Sequence, residues 1–486
     1  MKIGFDNDKY LKMQSEHIKE RIGEFGGKLY LEFGGKLFDD FHASRVLPGF
    51  KADSKLQMLL QLADQAEIVM VVNGEDIENN KIRQDLGITY DDDVIRLIEE
   101  YRNAGLYVSS VVVSRFSNQR SCVRFQERVA NMGIKIYHHY LISGYPTDIP
   151  YIISDDGFGK NDYVETTRPL VVVTAPGPGS GKMSTCLSQL YHEKKRGVDA
   201  GYAKFETFPI WNLPLDHPVN IAYEAATADL NDINMIDPFH LQAYGEATVN
   251  YNRDVEIFPV LSSMFEHIYG ESPYKSPTDM GVNMAGNCII DDDVCREASN
   301  QEIIRRYFHA LVGAAAGKKE ISEVNKIRLL MSRSGLEATD RKVVAASREV
   351  ETATGNAATA IELEDGTLIT GKTGSLLGPS AGCIINAIKH LAGIPQEMDI
   401  ISPEAIAPIQ ELKTKYLGSR NPRLHPDEVL IALSTNAFMS PTAALALKQL
   451  TKLRGCQVHT TAALSAIDRR TLRRLGMVLT YEPKGI

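Results

Sequence analysis

The sequence predicts an α/β protein: an N-terminal doubly wound, mostly parallel sheet carrying a phosphate-loop-like turn, a helical middle region, and a C-terminal α/β domain. Three observations lead there. Between about residues 25 and 210, short β-branched runs alternate with amphipathic stretches, and alternation at this spacing builds right-handed βαβ units. After about Pro218 strand-like runs cease until Ala357. At 486 residues the chain is too long for one compact core. The composition shifts divide it at 1–217, 218–353 and 354–486.

Taken in order, the expected strands are Leu29–Phe33, Ile68–Val72, Val108–Val113, Ile134–His138, Leu170–Thr174 and Gly201–Glu206. Helices over Ser54–Gln65, Asp93–Ala104, Gln119–Met132 and Lys182–Arg196 separate them. In such a sheet ligands sit beyond the carboxyl ends of the strands, which points to the turns after Phe33, Val72, Thr174 and Glu206. The middle region reads as helices, clearest at Glu297–Ala316 and Ser322–Arg333. Beyond it, Ala357–Leu363 and Thr367–Lys372 flank Glu364-Asp365-Gly366, a hairpin whose Asp-Gly pair suits a type I′ turn. A helix over Ala381–Leu391 follows, then a strand at Val429–Leu433, a helix over Pro441–Leu453, a strand at Gln457–Leu464, a helix, and a strand at Met477–Tyr481.

Composition narrows the class. The formal net charge of -9 argues against a protein living on nucleic acid or an anionic membrane. Cys122, Cys186, Cys288, Cys295, Cys383 and Cys456 are widely scattered, form no CxxC pair, and show no zinc-ligand spacing. They read as reduced, buried small hydrophobes, and zinc is not expected. No apolar run reaches signal-peptide or membrane-span length. A cytoplasmic protein is expected, free to form a homo-oligomer.

The segment that carries chemistry runs from Arg168 to Thr185. A buried strand enters Ala175-Pro-Gly-Pro-Gly-Ser-Gly-Lys182, and a helix leaves it. Glycines let backbone N–H groups turn around an anion, the helix N-terminus adds its dipole, and Lys182 adds charge. Against the pattern G-x-x-x-x-G-K-[ST], Gly181 and Lys182 match. Pro176 replaces the first glycine, and Met183 replaces the magnesium-binding hydroxyl, with Ser184 next. Gly177, Gly179, Ser180, Gly181, Lys182 and Ser184 are the candidate phosphate-binding residues. The bland alternative is a tight glycine-rich turn with no ligand. A dinucleotide fingerprint fails because Lys182 occupies its last glycine position, although Glu206 stands near where an acidic group meets a ribose.

Two neighbouring segments offer to complete a site. In Tyr202-Ala-Lys204-Phe-Glu206, alternation puts Lys204 and Glu206 on one face. With Lys182 they are the candidate catalytic residues. Tyr151-Ile-Ile-Ser-Asp155-Asp156 reads as an apolar strand ending in paired carboxylates, as a magnesium site requires. Each also reads as a solvated strand end. The implied ligand is a small phosphorylated molecule, ATP or another nucleotide with magnesium, either processed by an NTP-dependent enzyme or sensed by a non-catalytic regulator.

Several segments carry a family resemblance: Phe205-Glu-Thr-Phe-Pro-Ile-Trp-Asn-Leu-Pro214, Thr227-Ala-Asp-Leu-Asn-Asp232, Asp237-Pro-Phe-His240, Asn250-Tyr-Asn-Arg-Asp-Val-Glu-Ile-Phe-Pro259, Ser276-Pro-Thr-Asp-Met-Gly-Val-Asn-Met-Ala-Gly286, and the loop itself. End to end, the chain resembles an uncharacterised bacterial "domain of unknown function" family, some members of which carry the label ATP-dependent peptidase. The resemblance supplies no catalytic residue. His192-Glu193-Lys-Lys-Arg196 misses the HExxH zinc pattern. Gly378-Pro-Ser380-Ala-Gly382 satisfies G-x-S-x-G, with Asp399, His425, Asp427 and His459 downstream. This leaves a serine hydrolase acting through Ser380 as a minor alternative to a closely packed helix start. The C-terminal hairpin and helix are similar to the opening of the deaminase-type three-layer fold, without its metal signature.

Overall fold

The structure, a computed structural model, describes residues 2–34, 37–38, 40–83 and 87–483. It divides into two compact units, one of residues 2–224 and 231–299, the other of 225–230 and 300–486. The boundary near residue 300 falls within the helix Asp292–Ala315.

The first unit is built on a seven-stranded sheet. In chain order its strands are β1 (Leu29–Phe33), β2 (Ala66–Asn73), β3 (Tyr107–Ser114), β4 (Lys135–His138), β5 (Leu170–Thr174), β6 (Gly201–Phe205) and β7 (Gly281–Val282). In space they lie β7-β6-β1-β5-β2-β3-β4, and every pairing is parallel. All residues of β1, β2 and β5 are buried, as expected of strands covered on both faces. Side chains alternate between two cores. Leu29, Leu31, Phe33, Ile68, Met70 and Val172 face one, with Val94, Leu97, Ile98 and Tyr101 of helix Tyr90–Asn103 and Phe125 of helix Arg120–Asn131. Tyr30, Val69, Val71, Val171, Val173 and Tyr202 face the other, with Leu187 and Leu190 of helix Lys182–Lys195 and Phe258, Leu261 and Phe265 of helix Asn252–Tyr269.

Three corrections to the sequence reading belong to this unit. The middle stretch does contain strands, namely β7 and the antiparallel pair Asn234–Ile236 and Val249–Tyr251; at two or three residues each, they are too short to show periodicity. Ser54–Leu60 ends before Gln65 and gives way to turns. The apolar run at Tyr151 is not a strand: Ile149–Ile152 is a single helical turn, started by Pro150 and capped by Asp148.

The second unit holds a four-stranded sheet in the order 368–372, 358–362, 457–460, 478–481. The first two pairings are antiparallel and the last parallel, with the helix Pro379–Leu391 in its core. The hairpin is present, but its turn is not type I′, which needs positive φ at both central residues. Only Gly366 has it (φ 85°), and Leu363 N–H bonds Thr367 O across a three-residue loop. Val429–Leu433 is helical, inside Pro426–Asn436. Pro426 at its start and Glu428 closing a capping box set the helix, and Val429, Ala432 and Leu433 are its buried stripe.

Candidate functional site

The strand order concentrates interest at β5. From β5 the chain moves on toward β6, and from the adjacent β2 it moves the opposite way, toward β3. Neighbouring strands whose connections diverge leave a crevice at their carboxyl ends. The turn Ala175–Gly181 fills this position. Gly179 (φ 76°) and Gly181 (φ 94°) take the left-handed conformation that side chains resist. Ser114, ending β3, donates its hydroxyl to Ser180 O at 2.7 Å, and Ser180 donates its own to Gly177 O at 2.9 Å. Gly177 lies so close to Tyr90 that a Cβ there would stand 2.2 Å from its hydroxyl. The turn is thereby held from three sides.

Among the described residues, the N–H groups of Gly177, Gly179, Gly181 and Lys182 find no backbone acceptor, while that of Ser180 closes a turn toward Gly177 O, and no side chain caps the helix Lys182–Lys195. Lys182 is half-buried and makes no ion pair among the described residues. Two candidate side chains are otherwise engaged. Ser180 is fully buried, and both its hydroxyl and its N–H turn back to Gly177 O. Ser184 lies beside the phenol of Tyr145, a residue that is 38% exposed. Met183, where a magnesium-binding hydroxyl would stand, packs on the core.

One and two strands away, at the ends of β1 and β6, lies a cluster of charge. Glu32 and Lys204 are opposite in register. The Lys204 ammonium reaches Asp254 at 2.5 Å and Glu206 at 2.7 Å, and Tyr202 donates to Glu32 at 2.7 Å. Burial alone would lower the lysine, but Asp254, then Glu206 and Glu32, outweigh it and hold it above its ordinary value. Burial pushes Glu206 the other way, up to about 7, against the pull of Lys204. A carboxyl near 7 exchanges protons at neutral pH, as general acid–base chemistry requires. Between loop and cluster lies the thiol of Cys186. Burial raises it first, the Glu32 carboxylate raises it further, and Lys182 opposes them. Lys182 and Glu32 thus act on the same buried group.

Lys204 and Glu206 also line a cavity of about 380 Å³ together with Trp211, His240, Tyr244 and Asp279. His240 Nδ1 lies 2.9 Å from Ser276 Oγ and 3.5 Å from Asp279 Oδ1. This is no nucleophilic triad. Ser276 is wholly buried and caps a helical turn by accepting from Asp279 N–H at 3.1 Å.

The remaining sequence candidates fall elsewhere. Asp155 pairs with Lys195 and accepts from Tyr191 at 2.8 Å; Asp156 pairs with Lys160 at 3.4 Å. Lys195 ends the 14-residue helix that Lys182 begins, about 20 Å away at 1.5 Å per residue. The structure does not bring this carboxylate pair to the loop. Among the described residues, no three His, Cys, Asp or Glu side chains group to hold a metal. Glu193 of the HExxH-like stretch instead accepts from Tyr30 at 2.6 Å and from Lys28. Ser380 is buried against Thr359 at 3.2 Å, while His425 pairs with Asp468 at 2.9 Å and His459 with Thr480 at 2.9 Å. All six cysteines are free and buried, and among the described residues no helix is long and apolar enough to cross a membrane.

Glu32, Asp254 and the cavity role of His240 escaped the sequence reading. Glu32 did leave a signal, a carboxylate inside the apolar run Leu-Tyr-Leu-Glu-Phe, where charge needs a partner. Asp254 left none, since an acid in a first helical turn is ordinary.

Comparison with known proteins agrees along the length of the chain. Residues 3–335 match the family described as "Domain of unknown function DUF1846, N-terminal" and residues 339–485 its C-terminal counterpart. A UPF0371 protein of Corynebacterium diphtheriae is 59% identical over 483 residues, covering 99% of this chain and 97% of the relative. UPF0371 proteins of Corynebacterium urealyticum (57%, with the same shares) and Streptococcus sanguinis (55%, covering 99% and 98%) are similar. With both family regions present in order and relatives aligned over nearly their whole length, this chain belongs to the DUF1846 family, whose relatives here bear the name UPF0371.

Proposed function

We propose that the first unit binds a nucleotide or another small phosphorylated molecule by its phosphate at Gly177–Lys182, with Lys182 as the neutralising charge. The observation that carries this reading is the set of N–H groups at Gly177, Gly179, Gly181 and Lys182 without a backbone acceptor among the described residues, at the start of a long helix that Lys182 begins. Such N–H groups and the helix dipole favour an anion. Lys204 and Glu206 at the neighbouring strand end are the groups suited to chemistry on the bound molecule, and ATP is one ligand of this class. Met183 in the core and Asp155 at the far end of the helix deprive the loop of the usual magnesium partners. They favour as second reading a regulator that binds its phosphorylated ligand without hydrolysing it.

Calorimetry with ATP, GTP, pyrophosphate and inorganic phosphate, together with phosphate-release assays, tests both readings. A charged hydrogen bond contributes about 1.5–3 kcal/mol, so Lys182→Ala is expected to weaken binding by roughly ten- to a hundred-fold. Phosphate release by the wild type, lost in the variant, identifies the enzyme; binding without release identifies the regulator. No affinity for any of these ligands, or affinity unchanged in Lys182→Ala, refutes the loop as a phosphate site.

A further inference from the structure

The cavity beside Lys204 and Glu206 presents a chemistry different from that of the loop. Its walls are flat and apolar: Trp211 and Tyr244 contribute rings, with Pro209 and Pro277 beside them. The indole N–H of Trp211 donates to Asn283 O at 2.8 Å, which fixes the plane of the ring. The polar groups are of both kinds. Glu206 gives one oxygen to Lys204, and its second has no partner among the described residues. Glu246 and Asp279 add two more carboxylates. As donor, Lys204 brings a third N–H beyond those it gives to Asp254 and Glu206.

These features select among ligands. A phosphate or carboxylate only accepts hydrogen bonds, and Glu206, Glu246 and Asp279 have none to donate when ionised. An ammonium only donates, and Lys204 accepts nothing. A hydroxyl does both. A ring with hydroxyls on its rim and C–H groups on its faces would satisfy carboxylates and ammonium at the edge while lying against Trp211 and Tyr244. The volume of about 380 Å³ falls at the small end of the range of roughly 300–1,000 Å³ for small-molecule sites, room for one such ring.

We infer that this cavity is a binding site for an uncharged, hydroxyl-rich ring of monosaccharide size, with Glu206 and Lys204 holding its rim and Trp211 and Tyr244 its face. The inference stands on the cavity and not on the loop.

Trp211 is the chain's single tryptophan, so its fluorescence reports on the cavity directly. The full-length protein is titrated with glucose, galactose, ribose and myo-inositol, and separately with inorganic phosphate and lysine. A saturable change in emission is expected with at least one ring and with neither control. Affinity for that ring is expected to fall at least tenfold in Glu206→Gln and in Tyr244→Ala, and to stay unchanged in Lys182→Ala. Tyr244 is 47% exposed, so its variant keeps the test decisive should Glu206→Gln fold poorly. No saturable response to any of the four rings overturns the inference, as does a response to phosphate or lysine alone. A ring response that survives both cavity variants also overturns it.

Discussion

Replacing Glu206 by glutamine should change how stability depends on pH, in a direction the structure dictates. Burial pushes this carboxyl up to about 7 from 4.5, while Lys204, Asp254 and Glu32 face it from β6, the helix Asn252–Tyr269 and β1. Below pH 4.5 the residue is protonated in both folded and unfolded chains. Between 4.5 and 7 the unfolded chain releases its proton while the folded protein keeps it, so the stability Glu206 contributes falls as pH rises. The interval from 4.5 to 7 is 2.5 units, which at about 1.4 kcal/mol per unit amounts to roughly 3 kcal/mol. The side chain keeps 21% exposure, so about 2 kcal/mol is the expected effect after screening.

Glutamine cannot titrate, and Lys204 retains Asp254 as its partner. The unfolding free energy of Glu206→Gln should therefore gain about 2 kcal/mol on the wild type between pH 5 and pH 8. Urea titrations followed by Trp211 emission measure it, because the only tryptophan lies in the same unit as Glu206. Groups remote from the cluster cancel in the difference; Lys204, Asp254 and Glu32, which feel the Glu206 charge, titrate with it as one unit. Parallel pH curves for the two proteins would refute the raised carboxyl, and a difference that shrinks with pH would reverse its sign.

The loop glycines should respond unequally to alanine. At Gly179 (φ 76°) nothing lies within 4 Å of an added Cβ, so backbone strain alone costs about 1 kcal/mol in urea unfolding. At Gly181 (φ 94°) the Cβ also meets Ser114 Oγ at 3.0 Å; the cost should rise to about 2 kcal/mol or more, and equal losses would show that Ser114 does not brace the turn. Asp155→Asn should leave calorimetric affinity for phosphorylated ligands unchanged, because Asp155 pairs at the opposite end of the helix from Lys182; a loss of affinity would return this carboxylate to the site.

Local pattern alone determined the elements that build the first sheet. Leu29–Phe33 and Leu170–Thr174 were legible to the residue, because a strand covered on both faces is predominantly apolar, with Glu32 the exception, and a glycine-rich loop ends it. The pairing of Lys204 with Glu206 was legible too, since alternation along one strand puts both on one face. What pattern could not supply was partnership between distant segments. Val429–Leu433 looks like a strand until its cap and the core it fills are known. Asp155 and Asp156 looked like metal ligands until the helix between them and the loop set them apart. Glu32, Lys204 and Asp254 meet only because parallel register aligns β1 with β6 and a helix lays its first turn across their ends. The reason is physical: periodicity reports which way a side chain faces, whereas a site needs charges from remote parts of the chain within a few ångströms, and only the packed sheet brings them there.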